Sequence, residues 1–313
     1  MTSSTRRTFL GAALTTAAAA LAVPAHAQSI STLRIATTPI DTGAQAYYAA
    51  DMGFFKKAGY DVEISSINSG SAIAAGVVSG SFDFAQVNIV SIAQAYQRNV
   101  KFVLAAPGGI ITDKSITSGL VVAKGSPLVK AKDFNGKTIA INALASIQQL
   151  AVAEWLDKNG ADSTTVKFVE IPVAQLVASL VAGRIDLALV PEPELDNVEH
   201  GSDAKVIAPA YSSIAPAFLL SVWVTSPQFA HDHPEVVKKF AGVMAETARW
   251  GNSHHADSAP ILTKYTKVAV TPTMARVQYA ETFAPGLIQP VFDSALKYGL
   301  LKTPMTAADF LAK

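Results

Sequence analysis

Apolar positions along this chain alternate between short continuous runs and helical spacing, in the repeated order strand, helix, strand. Thr32-Leu33-Arg34-Ile35-Ala36-Thr37-Thr38 is a β-prone run, stopped by Pro39 and the turn residues Asp41-Thr42-Gly43. Ala46, Tyr47, Ala50, Phe54 and Phe55 then fall three to four residues apart, which predicts a helix. Gly59 ends that helix before a strand opening with Asp61-Val62-Glu63-Ile64. Asn68-Ser69-Gly70-Ser71 precedes a second helix over about 72–79, and Gly80-Ser81-Phe82-Asp83 leads into the strand Phe84-Ala85-Gln86-Val87.

The same order returns roughly a hundred positions further on. Lys137-Thr138-Ile139-Ala140-Ile141 reads as a strand, 146–159 as a helix closed by Gly160, and Val166-Lys167-Phe168-Val169 as the next strand. A helix over 173–182 leads to the strand Leu187-Ala188-Leu189-Val190. Val78 to Val87 and Val181 to Val190 share one frame, Val-x-Gly-x-apolar-Asp-apolar-Ala-x-Val. Each Gly can take the left-handed conformation that ends a helix, and Asp83 and Asp186 are expected to hold backbone N–H groups at these turns rather than act as acids. Two such units predict an α/β protein with two lobes. Ala105-Ala106-Pro107-Gly108-Gly109 is the expected hinge, Ser118 to Ala123 and Phe218 to Val224 are further strands, and the chain from His231 onward is helical with Pro234 in a first turn. The division is residues 28–107 plus 226–313 for lobe I and 108–225 for lobe II. The chain then crosses between lobes twice, an arrangement that permits hinge closure around a ligand.

Composition narrows the chemistry. Lys and Arg number 25 against 24 Asp and Glu in 313 residues, so there is no basic field for nucleic acid and no polybasic membrane patch. The absence of cysteine excludes disulfides, a thiolate nucleophile and iron–sulfur clusters. Residues 1–27 read as a signal peptide that resembles the twin-arginine type, with the ordinary Sec route as the alternative because Gly11 stands where a basic residue usually follows Leu10. Arg6-Arg7-Thr8-Phe9-Leu10 starts an apolar stretch of 15 residues to Val23, short of the roughly 20 that span a bilayer, and Ala25-His26-Ala27 offers a small-x-small cleavage site before Gln28. Cleavage there leaves 23 basic against 24 acidic side chains, and no later apolar run reaches spanning length. A soluble protein exported to a periplasm is expected.

Several segments carry a family likeness. Ala46-Tyr47-Tyr48-Ala49-Ala50-Asp51-Met52-Gly53-Phe54-Phe55-Lys56-Lys57-Ala58-Gly59-Tyr60-Asp61-Val62-Glu63 is the most extended. Others are the 68–71 turn, Gly80-x-x-Asp83, Asp133-Phe134-Asn135-Gly136-Lys137, Gly183-x-x-Asp186, Glu192-Pro193, His233-Pro234-Glu235-Val236-Val237 and Lys297-Tyr298-Gly299-Leu300. In this order they resemble the type II periplasmic solute-binding proteins of ABC importers, within them the family that binds nitrate, sulfonates, taurine and the pyrimidine precursor of thiamine. The resemblance implies a two-lobed fold with two mixed sheets flanked by helices and a two-crossover hinge. It implies a monomeric, non-enzymatic, cofactor-free protein that captures a small organic anion, sulfonate- or carboxylate-like, and delivers it to an inner-membrane permease and its ATPase. An exported enzyme of the same superfamily, or a ligand sensor docking on a receptor, is the alternative. The enzyme relatives use cysteines that this chain lacks.

In open α/β sheets ligands sit beyond the carboxyl ends of strands, where helix N-termini offer N–H groups and partial positive charge to anions. Three turns meet that description: the one containing Thr38, Asp41, Thr42 and Gln45, the one containing Ser69, Gly70 and Ser71, and the one from Asn142 to Ser146. The resemblance places ligand contacts at Thr42, Gln45, Ser69, Gly70, Ser71, Asn88, Ser146 and Glu192. In the family the last of these turns often carries a Gly before its Ser or Thr, where Ala143-Leu144-Ala145 stands here. Asp41 and Glu192, if they face the cleft, repel an anion or accept from a ligand rich in N–H groups. Tyr47, Tyr48 and Tyr211 are candidates to stack on a ring, with core packing the more natural role of the first two. His231-x-His233 and His254-His255 lack the further ligands a zinc site needs, and no catalytic constellation is present.

Overall fold

The computed structural model describes Met1 and residues 30–312; the export segment expected over residues 1–27 lies, Met1 apart, outside the described residues. Strands β1 (Thr32–Thr37), β2 (Asp61–Ser66), β3 (Phe84–Asn88), β4 (Val103–Pro107), β5 (Gly109–Thr112) and β6 (Ser118–Ala123) are followed by β7 (Thr138–Ile141), β8 (Lys167–Glu170), β9 (Leu187–Pro191) and β10 (Ala204–Ala208). The last three are β11 (Ala217–Leu219), β12 (Ser221–Thr225) and β13 (Gln278–Tyr279). They form a five-stranded sheet in the order β2-β1-β3-β12-β4, a second in the order β10-β6-β9-β7-β8, and a small third one, β11-β5-β13.

The internal duplication extends to strand pairing. In the first sheet β1 runs parallel to β2 and β3, and β12 is antiparallel to β3 and β4. In the second, β7 runs parallel to β8 and β9, and β6 is antiparallel to β9 and β10. The two aspartates act alike. Asp83 Oδ2 accepts from the Arg34 N–H at 2.7 Å, and Asp186 Oδ2 accepts from the Thr138 N–H at 2.9 Å. Each aspartate N–H also donates to the carbonyl of that same partner residue. Both aspartates thus pin the start of the third strand to its parallel neighbour, and Asp83 also pairs with the Arg34 guanidinium at 2.6 Å. Gly80 and Gly183, three residues earlier, take left-handed φ values of 74° and 66°.

Two expectations change. Phe218 to Val224 is not one strand but two: β11 lies in the small sheet and β12 in the first large one, parted at Leu220. The carboxyl half of that run therefore pairs within the first sheet, beside β3 and β4. The helix expected through Phe55 is likewise two, Gln45–Asp51 and Phe54–Lys57, broken at Gly53. Around the expected hinge, the crossing segments are tied to one another. Gly108 N–H donates to Ser221 O, Leu220 N–H to Gly109 O, and Ala280 N–H to Gly108 O, so the β13 segment joins the two crossovers as a third strand.

The long helix Pro234–Ser253 starts at Pro234 as expected, where a missing N–H costs nothing. It stacks Phe240 on Phe84 with ring centroids 3.8 Å apart and seals one face of the first sheet. The helix Gln289–Lys297 buries Val291, Phe292 and Ala295, and its Ser294 hydroxyl hydrogen-bonds Glu154 on the second unit's helix Ile147–Lys158. The C-terminal segment assigned to lobe I thus touches both sheets' helices. Among the described residues no helix is long and apolar enough to cross a membrane.

Candidate functional site

The carboxyl ends of four strands converge on one cavity of about 60 Å³. Thr38 follows β1 and Asn88 ends β3, while Asn142 follows β7 and Pro191 ends β9. Thr42, Gly70, Gln86, Ser118, Ser146, Gln148, Tyr211 and Ser221 complete its polar lining, and Ile40, Ile147 and Leu220 add apolar surface. Among the described residues that line it, none is charged.

Local geometry explains why these side chains stand where they do. Asn88 caps the helix Ile89–Gln97, its Oδ1 accepting from the Ser91 N–H at 3.0 Å and its Nδ2 donating to Ser91 Oγ at 2.8 Å. Ser146 caps Ile147–Lys158, accepting from the Gln148 N–H at 3.2 Å and donating to Ala143 O at 2.6 Å. Gly70 opens the helix Gly70–Val78. Three helix N-termini therefore reach the cavity, and their first-turn N–H groups have no intrahelical acceptor. An α-helix N-terminus carries a partial positive charge, so an anion is favoured here without a Lys or Arg. Gln148 Oε1 accepts from the Asn142 N–H at 3.0 Å, and the Gln86 amide donates to Thr42 O at 3.0 Å, which orients both side chains. Where the family often has Gly, Ala145 takes a left-handed φ of 50°. The turn is held by Ala145 N–H to Gln149 Oε1 at 2.9 Å and by Gln94 Nε2, from the first unit, to Ala145 O at 2.9 Å.

Of the residues singled out in the sequence, Thr38, Thr42, Gly70, Asn88, Asn142 and Ser146 come together in this cavity. Asp41, Gln45, Ser69 and Glu192 are not part of its lining, and Ser71 lies in the first turn of Gly70–Val78, its side chain outside the description. Ser69 caps that helix, accepting from the Ala72 N–H at 3.4 Å. Gln45 is buried between elements: its Nε2 donates to Met244 O at 2.9 Å, and its Oε1 accepts from Trp223 Nε1 at 2.8 Å. Asp41 is buried against Arg276, with Nε 3.1 Å from Oδ1, and takes the Val277 N–H on Oδ2 at 2.6 Å. It does not face an anion. Tyr47 and Tyr48 are core residues, whereas Tyr211 does line the cavity. Gln86, Ser118, Gln148 and Ser221 are contributors that sequence spacing did not single out. Among the described residues no group of three His, Cys, Asp or Glu could hold a metal, and His231 instead meets Asp232 at 2.9 Å.

Glu192 sits at the seam between the units. Its carbonyl accepts from the Asp41 N–H at 3.1 Å, and its Oε2 accepts from the Asp196 N–H at 2.9 Å. Burial pushes its carboxyl up to about 8; the Asp196 N–H opposes the rise, and the charges of Asp196, Asp41 and Glu199 add to it. The unfolded chain releases this proton near the ordinary value of 4.5, whereas the folded chain holds it to about 8. Stability therefore falls as pH rises through that window, and the loss persists above it. Glu192→Gln keeps an acceptor for the Asp196 N–H without the titration. The variant is expected to melt several degrees above the parent at pH 9 and with it at pH 4.5, read by calorimetry.

Comparison with known proteins bears on the family and the fold. Residues 42–254 match the NMT1/THI5-like family. The taurine-binding periplasmic protein of Escherichia coli K12 is 30% identical over 199 residues, which cover 61% of this chain and 58% of that protein. The chain thus matches under two thirds of that relative's length. In three dimensions, the nitrate-binding protein NrtA of Synechocystis PCC 6803 superposes with a TM-score of 0.75 at 14% identity, over 91% of this chain and 86% of that one. The alkanesulfonate-binding protein SsuA of Xanthomonas axonopodis pv. citri, solved bound to MOPS, gives 0.72 at 15% identity, over 89% and 97%. The two mixed sheets flanked by helices are those of the periplasmic-binding-protein fold, and the chain belongs to the NMT1/THI5-like family.

Proposed function

We propose that this chain is the substrate-binding component of an ABC importer, which captures a small organic anion in the periplasm and delivers it unchanged to an inner-membrane permease. The observation that carries the reading is the cavity itself. It lies at the carboxyl ends of strands from both large sheets, and three helix N-termini and neutral amides and hydroxyls line it. Such a lining solvates a sulfonate or carboxylate head by hydrogen bonds and helix dipoles and has no fixed cation to hold it too tightly for release. The binding proteins named above for taurine and alkanesulfonates support an organic solute with a sulfonate head, and the nitrate-binding one supports a small anion. In this reading residues 1–27 are the export signal, the two large sheets are the lobes, and closure about the crossovers at 107–109 and 219–221 encloses the solute. The chain works as a monomer and is not an enzyme.

Thermal unfolding of refolded, ligand-stripped protein against sulfonates, taurine, nitrate, carboxylates and pyrimidines tests it. A true ligand at 100 times its Kd adds about 2.7 kcal/mol, a rise of several degrees. A response confined to organic anions is expected; a response to pyrimidines alone contradicts the anion reading.

A further inference from the structure

The polar cavity is bordered by a seam of carboxyl groups drawn from both units. One tie across it runs from the Asp41 N–H to the Glu192 carbonyl at 3.1 Å, and the chain neighbours of that bond, Ile40, Thr42 and Pro191, line the cavity. On the helix Glu194–His200, Asp196 Oδ1 accepts from the Thr271 hydroxyl at 3.0 Å, which makes a second tie. Asp41, Glu192 and Asp196 are each at most 2% exposed, so three carboxyl groups are shut away from water where the units meet. Arg276 pairs with Asp41. Asp196 Oδ2 has no hydrogen-bond partner among the described residues, and the His200 ring lies 3.4 Å from its Oδ1. Glu192 takes the Asp196 N–H on Oε2, while Asp196, Asp41 and Glu199 all place negative charge on it. Burial is the largest reason that it holds its proton, and the groups that bury it come from both sides of the seam.

We propose that Glu192 is a proton-dependent latch on closure: the closed, solute-bound form keeps its carboxyl protonated, the open form gives that proton to water, and capture of the solute takes a proton up. Parting the seam hydrates Glu192 and moves it away from Asp41, so the open form loses the proton nearer the ordinary carboxylate range. An anion in the cavity, one residue from the seam, adds to the closed form's preference for the neutral acid. Between those two values the closed form holds a proton that the open form lacks. Affinity therefore falls as pH rises through that window and levels off above it. The groups that face Glu192 are Asp196, Glu199 and His200 on the helix that follows it, and Asp41, with Arg276 and His255 behind it, on the opposite side. The latch rests on the polar cavity being the solute site and on closure about the crossovers.

Ethanesulfonate is titrated into ligand-stripped protein by calorimetry across this range, in two buffers of different ionisation enthalpy. The dissociation constant is expected to rise at least tenfold between pH 6 and pH 8, with roughly 0.5–1 proton taken up per ethanesulfonate at pH 7. Glu192→Gln has no proton to exchange; its affinity is expected to stay flat over the range, with no proton taken up. Asp196→Asn keeps an acceptor for the Thr271 hydroxyl and removes one of the charges that hold the proton, so the change is expected to shrink. Parent affinity that is independent of pH, without proton uptake, overturns the latch and leaves the solute site standing. A pH dependence that both variants retain in full overturns the assignment to Glu192. Failure of ethanesulfonate to bind folded protein at any pH overturns the solute-site reading and the latch with it.

Discussion

Arg276→Met is expected to destabilise the folded protein by about 3–5 kcal/mol, with the melting temperature falling by roughly 10 °C. The side chain is buried and meets three groups: Asp41 Oδ1 through Nε at 3.1 Å, the His255 carbonyl through Nη1 at 3.1 Å, and the Tyr48 hydroxyl through Nη2. Removing the guanidinium leaves the Asp41 carboxylate in a low-dielectric site with only the Val277 N–H to hold it on Oδ2. An isolated buried charge is far more costly than the intact pair is stabilising, which is why the single change is severe. The double variant Asp41→Asn with Arg276→Met removes both charges together and is expected to recover at least half of the loss. Chemical denaturation of the two variants measures this. A single variant that loses under 1 kcal/mol contradicts the account, because Asp41 would then be compensated elsewhere. The pair matters to the site because Asp41 anchors the turn that presents Thr38 and Thr42, and its carbonyl is held by the Tyr279 hydroxyl at 2.6 Å.

Asn88→Asp is the change with the largest expected effect on binding. Asp caps a helix about as well as Asn, so the contact with the Ser91 N–H persists and the melting temperature of the free protein should barely move. The new carboxylate enters a cavity that no described lining residue neutralises. Two like charges about 4–6 Å apart at an effective dielectric near 20 repel by roughly 3–4 kcal/mol. Affinity for an organic anion is therefore expected to fall at least a hundredfold, about 2.7 kcal/mol. Calorimetric titration of parent and variant reads it, and a loss below threefold would place the anionic head elsewhere.

Much of the architecture was legible because it rests on local pattern. Ser118–Ala123 appears with the bounds that its apolar run suggests, and the repeated Gly-x-x-Asp turns do the same backbone work in both units. The strand-to-helix turns also pointed to Thr38, Thr42, Gly70, Asn88, Asn142 and Ser146, which line one cavity, because helix N-termini gather beyond strand ends in such sheets. What escaped is set by distant pairing. Asp41 looks like a cleft residue until Arg276, 235 positions away, is brought beside it. Gln45 is claimed by Trp223 and Met244, 178 and 199 residues on. Gln86, Ser118 and Ser221 lie on strands, where alternation alone does not say which face meets the cavity until register is known. The run from Phe218 to Val224 offers no break in apolarity at Leu220, so its division between two sheets was not readable from composition.

The central claim is capture and release of one small organic anion per chain without chemical change. Titrating ligand-stripped protein with ethanesulfonate to saturation, then releasing the ligand by denaturation and weighing it by mass spectrometry, addresses both halves at once. The account predicts one ethanesulfonate bound per chain and its recovery at unchanged mass. No binding at millimolar ligand by folded protein, or recovery of an altered product, would contradict it.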